Sequence, residues 1–579
     1  MCTLVVVMHE IDSVLCRSPE KPALVTGYDS HRQVNESTPL VTGEKTKGKW
    51  WCTIRYKNTR KCVSSKAALL ILLWSFVVGV FNSVALNPGF YYTSQVKVHS
   101  AVDLYCIVAL LSCFYPIAGL LADIKWGRYK VVITSLYMLL SSIPFAILCY
   151  IVTQNSSQTP TVLIGLLSLI LFISLLGFSA NVIQFGMDQL FDSPGEDRTL
   201  FIHWYMWTQD ATTVLTDSLI IILSVNHNLD LLLPIGIGSL LFVVLLSTLC
   251  LAWKKRSWFL IEEGQYNPYK LVYRVTKFAF KHKTPVHRSA FTYCEDEVPR
   301  GLDLGKSKYG GPFTTEQVED VKTFYRIVTI LVSFGVFFSL QFTSGTVLPT
   351  FSHQIAPHLM PKMNLSIRNI NIEDFFVTSG LLSPIISAIC IPLYLCLLRP
   401  FISRYVPRML KRMGLGLLLV FFSLVFTLAL DTALNVELAS KHGFCRHSTG
   451  PVSRPHSSII TIFLVVHFAL SSLSEMLGYI GAYEFIFSQT PHSMKGLLIG
   501  TLFATRGIHQ TLALGFTLLY HHLAHKYSCG VYYYLASTLF GFLSVLVFVL
   551  VARKYRRRER DEVCNIHQYA EEYYSKIQP

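Results

Sequence analysis

Charge is scarce in this sequence. Only 15% of its 579 residues are Asp, Glu, Lys or Arg, where an ordinary soluble protein has about 25%. A soluble chain this long splits into several domains, each with a charged surface to cover. So few charges cannot build those surfaces, and they also exclude a disordered chain or a nucleic-acid binder. Ordered cysteine spacing is missing too. The 14 Cys are scattered with no C-x-x-C, which excludes a zinc ribbon or a secreted disulfide scaffold. H-E-x-x-H and any nucleophile–base motif are absent. No catalytic residue, cofactor or metal is therefore expected, and the chain does not read as an enzyme.

Apolar sequence is abundant. Hydrophobic residues make up 52%, and mean hydropathy is +0.44. A membrane-spanning helix needs about 20 mostly apolar residues. Twelve segments qualify: roughly 67–86, 101–122, 130–152, 161–186, 200–224, 231–253, 325–349, 375–398, 412–431, 457–485, 496–520 and 530–552. The longest break, 254–324, separates six from six. The expected fold class is an all-α membrane protein of twelve transmembrane helices in two six-helix halves. The expected organisation is a cytosolic tail over 1–66, halves over 67–253 and 325–552, a cytosolic middle loop over 254–324, and a cytosolic tail over 553–579.

With the N-terminus inside, the inner segments hold 42 of the 50 Lys+Arg, the outer loops seven, and one, Arg506, falls within a span. This asymmetry sets the orientation. It also accounts for the net charge of +15 without an anionic partner. Sequons at Asn155 and Asn364 then lie outside, where glycosylation is expected, while the one at Asn35 lies inside. Cys445 and Cys529 also fall in outer loops, where a disulfide is one option. In the middle loop, Asn267–His282 reads as a basic amphipathic helix with Leu271, Val275, Phe278 and Ala279 on one side. Such a helix is expected to lie flat on the inner leaflet, with a solvated connector as the alternative.

Four stretches carry a family resemblance. Gly119-Leu-Leu-Ala-Asp123-Ile-Lys-Trp-Gly127-Arg128 resembles the loop motif of major facilitators. There Gly119 and Gly127 permit close helix ends, and Asp123 and Arg128 form a gating latch. Phe185-Gly-Met-Asp188-Gln189-Leu with Phe201-Ile-His-Trp204-Tyr resembles the F-G-A-D-Q-F … F-F-N-W-W-Y stretch of the proton-coupled oligopeptide transporter family. Ser474-Glu475-Met … Tyr483-Glu484-Phe485-Ile-Phe-Ser488-Gln489-Thr-Pro491-His-Ser-Met494-Lys495-Gly is similar to that family's span-10 signature, and Arg412-Met413-Gly414-Leu-Gly416 to its R-M-G-x-G. The resemblance implies a major facilitator fold and alternating-access transport of small peptides or peptide-like solutes, with proton symport. The implied partners are a small-molecule substrate, protons and the lipid bilayer, and the chain is expected to be a monomer. The competing readings are a non-transporting sensor or scaffold on the same fold, or a carrier of amino acids or other organic anions. Glu36-Ser-Thr-Pro-Leu40-Val41 weakly matches an acidic dileucine signal, so the plasma membrane and an endolysosomal membrane both remain open.

The departures concern charge. The family's span-1 E-x-x-E-R has no counterpart, since no Asp, Glu, Lys, Arg or His lies between Lys66 and Lys97. The family's span-4 Lys position is Ser179, its span-5 Asn position is Asp210, and its span-8 N-P is Ser383-Pro384.

Ionisable residues within spans are functional candidates by default. Glu475 matches the family's span-10 Glu, which the resemblance implies meets a substrate amino group. Tyr479 and Ser471 sit one turn on either side of it. Asp210 and Asp217, seven residues apart, share a helix face with His203 and Trp207, a spacing suited to carrying a proton. Gln341 suits either a polar ligand or a helix–helix hydrogen bond. The expected substrate contacts are Glu475, Asp210, Gln341, Tyr479 and Trp207, and the expected charge-coupling group is Glu475, Arg506, Asp210 and Asp217. Arg506 and Glu475 each lie about ten residues, roughly 15 Å, from the inner boundary. Arg506 is therefore expected to meet Glu475 directly or through water, the rival being that it snorkels to headgroups.

Overall fold

The polar stretch Thr314–Gln317 starts a helix where hydropathy alone reads a loop. Gln317 donates its backbone N–H to the Thr314 hydroxyl, and Thr314 donates its own to the Gln317 amide oxygen, each at 3.2 Å. This reciprocal cap satisfies two otherwise orphaned donors and sets the seventh span growing ten residues early. The computed structural model describes residues 65–86, 112–155, 161–190, 195–225, 232–261, 267–282, 301–359, 366–367, 370–371, 382–399, 406–442, 457–491, 494–524 and 530–555.

Thirteen α-helices occur among the described residues: α1 Lys66–Leu86, α2 Tyr115–Leu121, α3 Arg128–Asn155, α4 Thr161–Asp188, α5 Gly195–Val225, α6 Leu232–Lys254, α7 Pro268–Lys281, α8 Thr315–Leu359, α9 Leu382–Leu393, α10 Met409–His442, α11 Ser457–Gln489, α12 Lys495–Ala524 and α13 Gly530–Lys554. Each of the twelve expected spans overlaps one of them, with 101–111 and 375–381 outside the described residues, and α7 is the helix of the middle loop. Six of the spans are long and apolar enough to cross a membrane on length and composition alone. In the loop after α8, β1 Ser366–Ile367 pairs antiparallel with β2 Ile370–Asn371.

The chain divides into Met1–Tyr56, which lies outside the described residues, and Lys57–Pro579. Residues 1–64 of the expected 1–66 tail, the sorting-signal match, Asn35, Asn364, Cys445, Cys529, the chain beyond 555 and the side chain of Asn155 also lie outside them.

Packing follows an internal repeat. In the first half α1 packs on α5, α3 on α4, and α3 on α6. In the second half α8 packs on α12, α10 on α11, and α10 on α13. These are the same pairings six spans later, as two parallel repeats require. The halves meet in a seam along α2–α12 and α5–α9, which are again equivalent pairs. Side-chain ties repeat as well. Gln189, after α4, exchanges two hydrogen bonds with the Leu260 backbone at 2.7 and 3.1 Å, tying the end of α6 in place. Gln489, ending α11, accepts from the Tyr555 hydroxyl at 3.0 Å just past α13.

The middle loop corrects one expectation. Asn267 caps α7 by accepting from the Lys270 N–H at 2.9 Å, and Pro268 opens the helix. The stripe around Leu271 and Val275 is covered by protein. Leu271, Val272 and Val275 are buried against Phe313, Val318, Val321 and Met494. The start of α8 and the α11–α12 turn supply an apolar cover within the chain, so the stripe that suggested a leaflet-bound helix is spent on protein packing. Beside it, Lys306 bonds Asp303 and Glu319, each at 2.6 Å, and Lys322 bonds the same two carboxylates at 2.6 and 3.1 Å.

Burial works against the Asp303 carboxylate, yet hydrogen bonds from Lys306 and Lys322 outweigh it and hold the group below its ordinary value. Burial likewise works against the Lys306 ammonium, and hydrogen bonds to Asp303 and Glu319 hold it above. The Asp303 contribution is therefore present above about pH 4 and lost as pH falls through its lower folded value. The Lys306 contribution is present below about pH 10.4 and lost as pH rises through its higher folded value. Hydrogen-exchange protection of residues 301–313 should thus hold between these limits and fall outside them. Lys306→Met should lower it roughly two- to fivefold at pH 7, the scale of a partly exposed ion pair. Unchanged protection would remove these ion pairs from the account.

Candidate functional site

The seam is latched at the end of the bundle that carries the middle loop. After α2 the chain makes one wide π turn, Ala122–Trp126, ended by Gly127 at φ 75°, where glycine is favoured. The turn directs Asp123 across the seam. Its Oδ2 accepts the Leu497 backbone N–H of α12 at 3.2 Å. Its Oδ1 takes Arg128 Nη2 at 3.0 Å, and Arg128 Nη1 reaches Asp188 of α4 at 2.6 Å. Glycines set the clearance. A Cβ at Gly119 would stand 2.5 Å from the Gly496 carbonyl oxygen, and one at Gly496 would stand 2.6 Å from Asp123 Oδ2. The four expected latch residues thus come together, with Gly496 and the Leu497 N–H as partners on the opposite half.

Deeper along the seam, α5 meets α9 and α11. His203 stacks on Tyr394 with centroids 5.5 Å apart. Tyr205 meets Tyr483 edge-on at 6.1 Å. Trp207 donates its indole N–H to the Ala388 carbonyl at 3.0 Å. One turn on, Asp210 Oδ2 accepts the Ser387 hydroxyl at 2.8 Å. The α5 polar stripe therefore faces the other half, and Trp207 makes a contact across the seam. Asp217, two turns further along α5, is buried.

On α11, Glu475 is half-buried and has a neutral partner. The Gln341 amide of α8 donates to Glu475 Oε1 at 2.8 Å and to the Ser471 hydroxyl at 2.8 Å, while its oxygen accepts from Ser474 at 3.2 Å. Of the two readings of Gln341, the structure shows the helix–helix hydrogen bond, which also holds the Glu475 carboxylate. Arg506 does not pair with Glu475 directly, which corrects the direct form of that expectation. Its guanidinium carbon lies 5.6 Å from the centre of the Tyr479 ring, and no carboxylate among the described residues forms an ion pair with it. The reason is that Gln341 engages Glu475 from α8 while Tyr479, one turn on, meets the cation. Snorkelling fails as well. Arg506 is half-buried, and the groups within reach of its charge are the interior Tyr479, Tyr483, Tyr115 and Glu475. The outward positions of α12 are Ile508, Leu512, Phe516 and Leu519.

The comparisons agree with this geometry. The POT family pattern (PTR2) matches residues 131–535. The chain belongs to the POT family. It is 22% identical over 504 residues to solute carrier family 15 member 3 of Mus musculus, covering 77% of this chain and 83% of that protein. It is also 22% identical over 524 residues to protein NRT1/PTR FAMILY 5.16 of Arabidopsis thaliana, covering 81% and 87%. Among solved structures it resembles the POT family transporter PepTSo, with TM-score 0.57, 15% identity and coverage of 84% and 97%. It also resembles a POT family transporter in complex with 5-aminolevulinic acid, with TM-score 0.54, 11% identity and coverage of 85% and 96%. These structural likenesses show the fold, and family and fold together are those of transporters rather than enzymes.

In this POT family chain, sequence reasoning missed two buried clusters. Arg412 at the start of α10 forms an ion pair with Glu484 near the end of α11. It is the repeat equivalent of Arg128–Asp188, and both residues stood in quoted motifs. The signal was available by aligning the halves. The second cluster is His467 of α11, whose Nδ1 lies 2.9 Å from the Ser423 hydroxyl and 3.0 Å from that of Thr427, with Ser344 3.3 Å from Nε2. Single hydroxyls within apolar spans gave no sign of converging there. Removing one member of the buried Arg412–Glu484 pair leaves an unpaired charge. Arg412→Met should therefore cost about 3–5 kcal/mol, and adding Glu484→Met should recover most of it. Melting of wild type and the two variants in detergent measures this, and a double mutant no better than Arg412→Met would contradict the pairing.

Proposed function

We propose that this POT family member is a secondary-active transporter that moves small peptides or peptide-like organic solutes by alternating access. Its middle loop and both termini would face the cytosol, in a plasma or endolysosomal membrane. The observation that carries the reading is the acidic pole at the depth of the seam. Glu475 is held by an amide and Asp210 by a hydroxyl, and neither is neutralised by a cation at ion-pair distance. Carboxylates placed in a span at a cost of several kcal/mol, with neutral partners, are suited to receive a substrate ammonium or a proton. Similar proteins support the class: one is a peptide transporter solved in complex with alafosfalin, another a POT family transporter in complex with 5-aminolevulinic acid.

Substrate enters the seam and meets the acidic pole from α5, α8 and α11. The Asp123–Arg128 latch closes the cytosolic end, and its release would open the site inward. Beyond its first residue, Lys66, α1 holds no charged residue or His to share proton traffic, so any coupling passes through Asp210 or Glu475.

The test is uptake of a labelled dipeptide by reconstituted protein, with and without an inward proton gradient. Uptake should occur, with a weaker gradient dependence than in E-x-x-E-R members. Asp210→Asn together with Glu475→Gln should abolish any gradient-driven part and lower uptake at least about tenfold, the scale of a lost charge-assisted contact. Strictly proton-driven uptake that survives both substitutions would overturn the coupling route. Absence of uptake for dipeptides of every charge type would overturn the transport reading.

A further inference from the structure

Arg506 is the one Lys or Arg that lies within an expected span rather than near a span end. A guanidinium at that depth costs several kcal/mol unless something compensates it. The compensation here is incomplete. The Tyr479 face, 5.6 Å from the guanidinium carbon, supplies a cation–π contact of about 0.5–2 kcal/mol. Glu475 is within reach of the charge but not at ion-pair distance, and Gln341 of α8 holds it. The other groups acting on Arg506 are the phenols of Tyr483 and Tyr115. Tyr115 comes from the opposite half, where its hydroxyl bonds that of Ser179 on α4. Arg506 therefore stands at the seam, among phenols that donate and accept hydrogen bonds, and no carboxylate is paired with it.

We propose that Arg506 is an anion subsite that takes the free carboxylate of the transported solute, with the surrounding tyrosine hydroxyls completing the contact. The proposal rests on the placement of substrate at the seam argued above. The guanidinium fork matches a carboxylate through two parallel hydrogen bonds, which a phenol or amide cannot replace. With Glu475 and Asp210 forming the acidic pole, the seam presents opposite charges within reach of Tyr479. That pattern selects a short zwitterion with a free carboxylate at one end and an ammonium at the other. The cation comes from α12, in the second half, whereas the one cation of α1, Lys66, stands at that helix's first residue.

Binding to the purified full chain, read as ligand-dependent melting shifts over a titration, tests the subsite. Three probes separate the ends: dialanine, dialanine amide, which lacks the carboxylate, and N-acetylalanine, which lacks the ammonium. Wild type should bind dialanine at least about tenfold more tightly than the amide, the loss expected when a charge-assisted hydrogen bond is removed. Arg506→Gln should bring that ratio close to one and weaken N-acetylalanine equally. Arg506→Lys should keep a reduced ratio, because an ammonium supplies a point charge without the fork. If Arg506→Gln does not fold, Arg506→Lys carries the comparison, and a ratio equal to that of wild type overturns the proposal. An unchanged ratio in a folded Arg506→Gln overturns it too, as does a wild type that binds no carboxylate probe or fails to distinguish acid from amide. Arg506-dependent binding of N-acetylalanine without binding of dialanine supports the subsite while refuting the peptide reading.

Discussion

One carboxylate, Asp123, joins the two halves of this protein. One of its oxygens is held by Arg128 of its own half, which also grips Asp188. The other accepts a backbone N–H from the opposite half. A backbone donor near the start of α12 is one of four that the helix cannot satisfy internally, so the contact meets a need on both sides. It forms only because Gly119 and Gly496 let the two helix ends approach to a distance that a Cβ would not allow. The seam pairs α2–α12 and α5–α9 follow from there, and the polar faces of α5 and α11 are brought opposite each other along them.

Charge placement then separates structure from function. At the middle-loop end every charge discussed has a charged partner: Arg128 with two aspartates, Arg412 with Glu484, and Lys306 and Lys322 with Asp303 and Glu319. Deeper in the seam the pattern changes. Asp210 rests on a hydroxyl, Glu475 on an amide, and Arg506 on an aromatic ring. Partners of that kind position a charge without neutralising it. Under the proposed function, a solute carrying both signs of charge would replace neutral contacts with ionic ones, the differential binding that the proposed alternating access requires.

Much of the fold was legible because apolar runs of about 20 residues leave few alternatives. Span ends were less so. The first turns of α8 are polar and read as loop, although a reciprocal cap makes them helical. The middle-loop helix was found from its periodicity, but periodicity cannot say whether lipid or protein covers an apolar face, and Met494 and Val318 do. At the site, Asp210, Gln341 and Glu475 were identified from their cost in a membrane and from the motif around them. Their partners Ser387 and Ser471 were not paired with them in advance, since a lone serine in a span carries no sign of what it will meet. Depth along two helices placed Arg506 and Glu475 at one level, but rotation about the helix axes decided that Arg506 meets the Tyr479 ring and Glu475 the Gln341 amide.

The central claim is that Asp123 holds the halves together at the middle-loop end. Spin labels at the exposed positions Trp126 and Lys411 would report the separation of the halves there by pulsed electron resonance. With Asp123 intact, a single short distance should dominate. Asp123→Asn, which weakens the grip of Arg128 while keeping the side chain's size, should add a second, longer population. A distance distribution unchanged by Asp123→Asn would contradict the account.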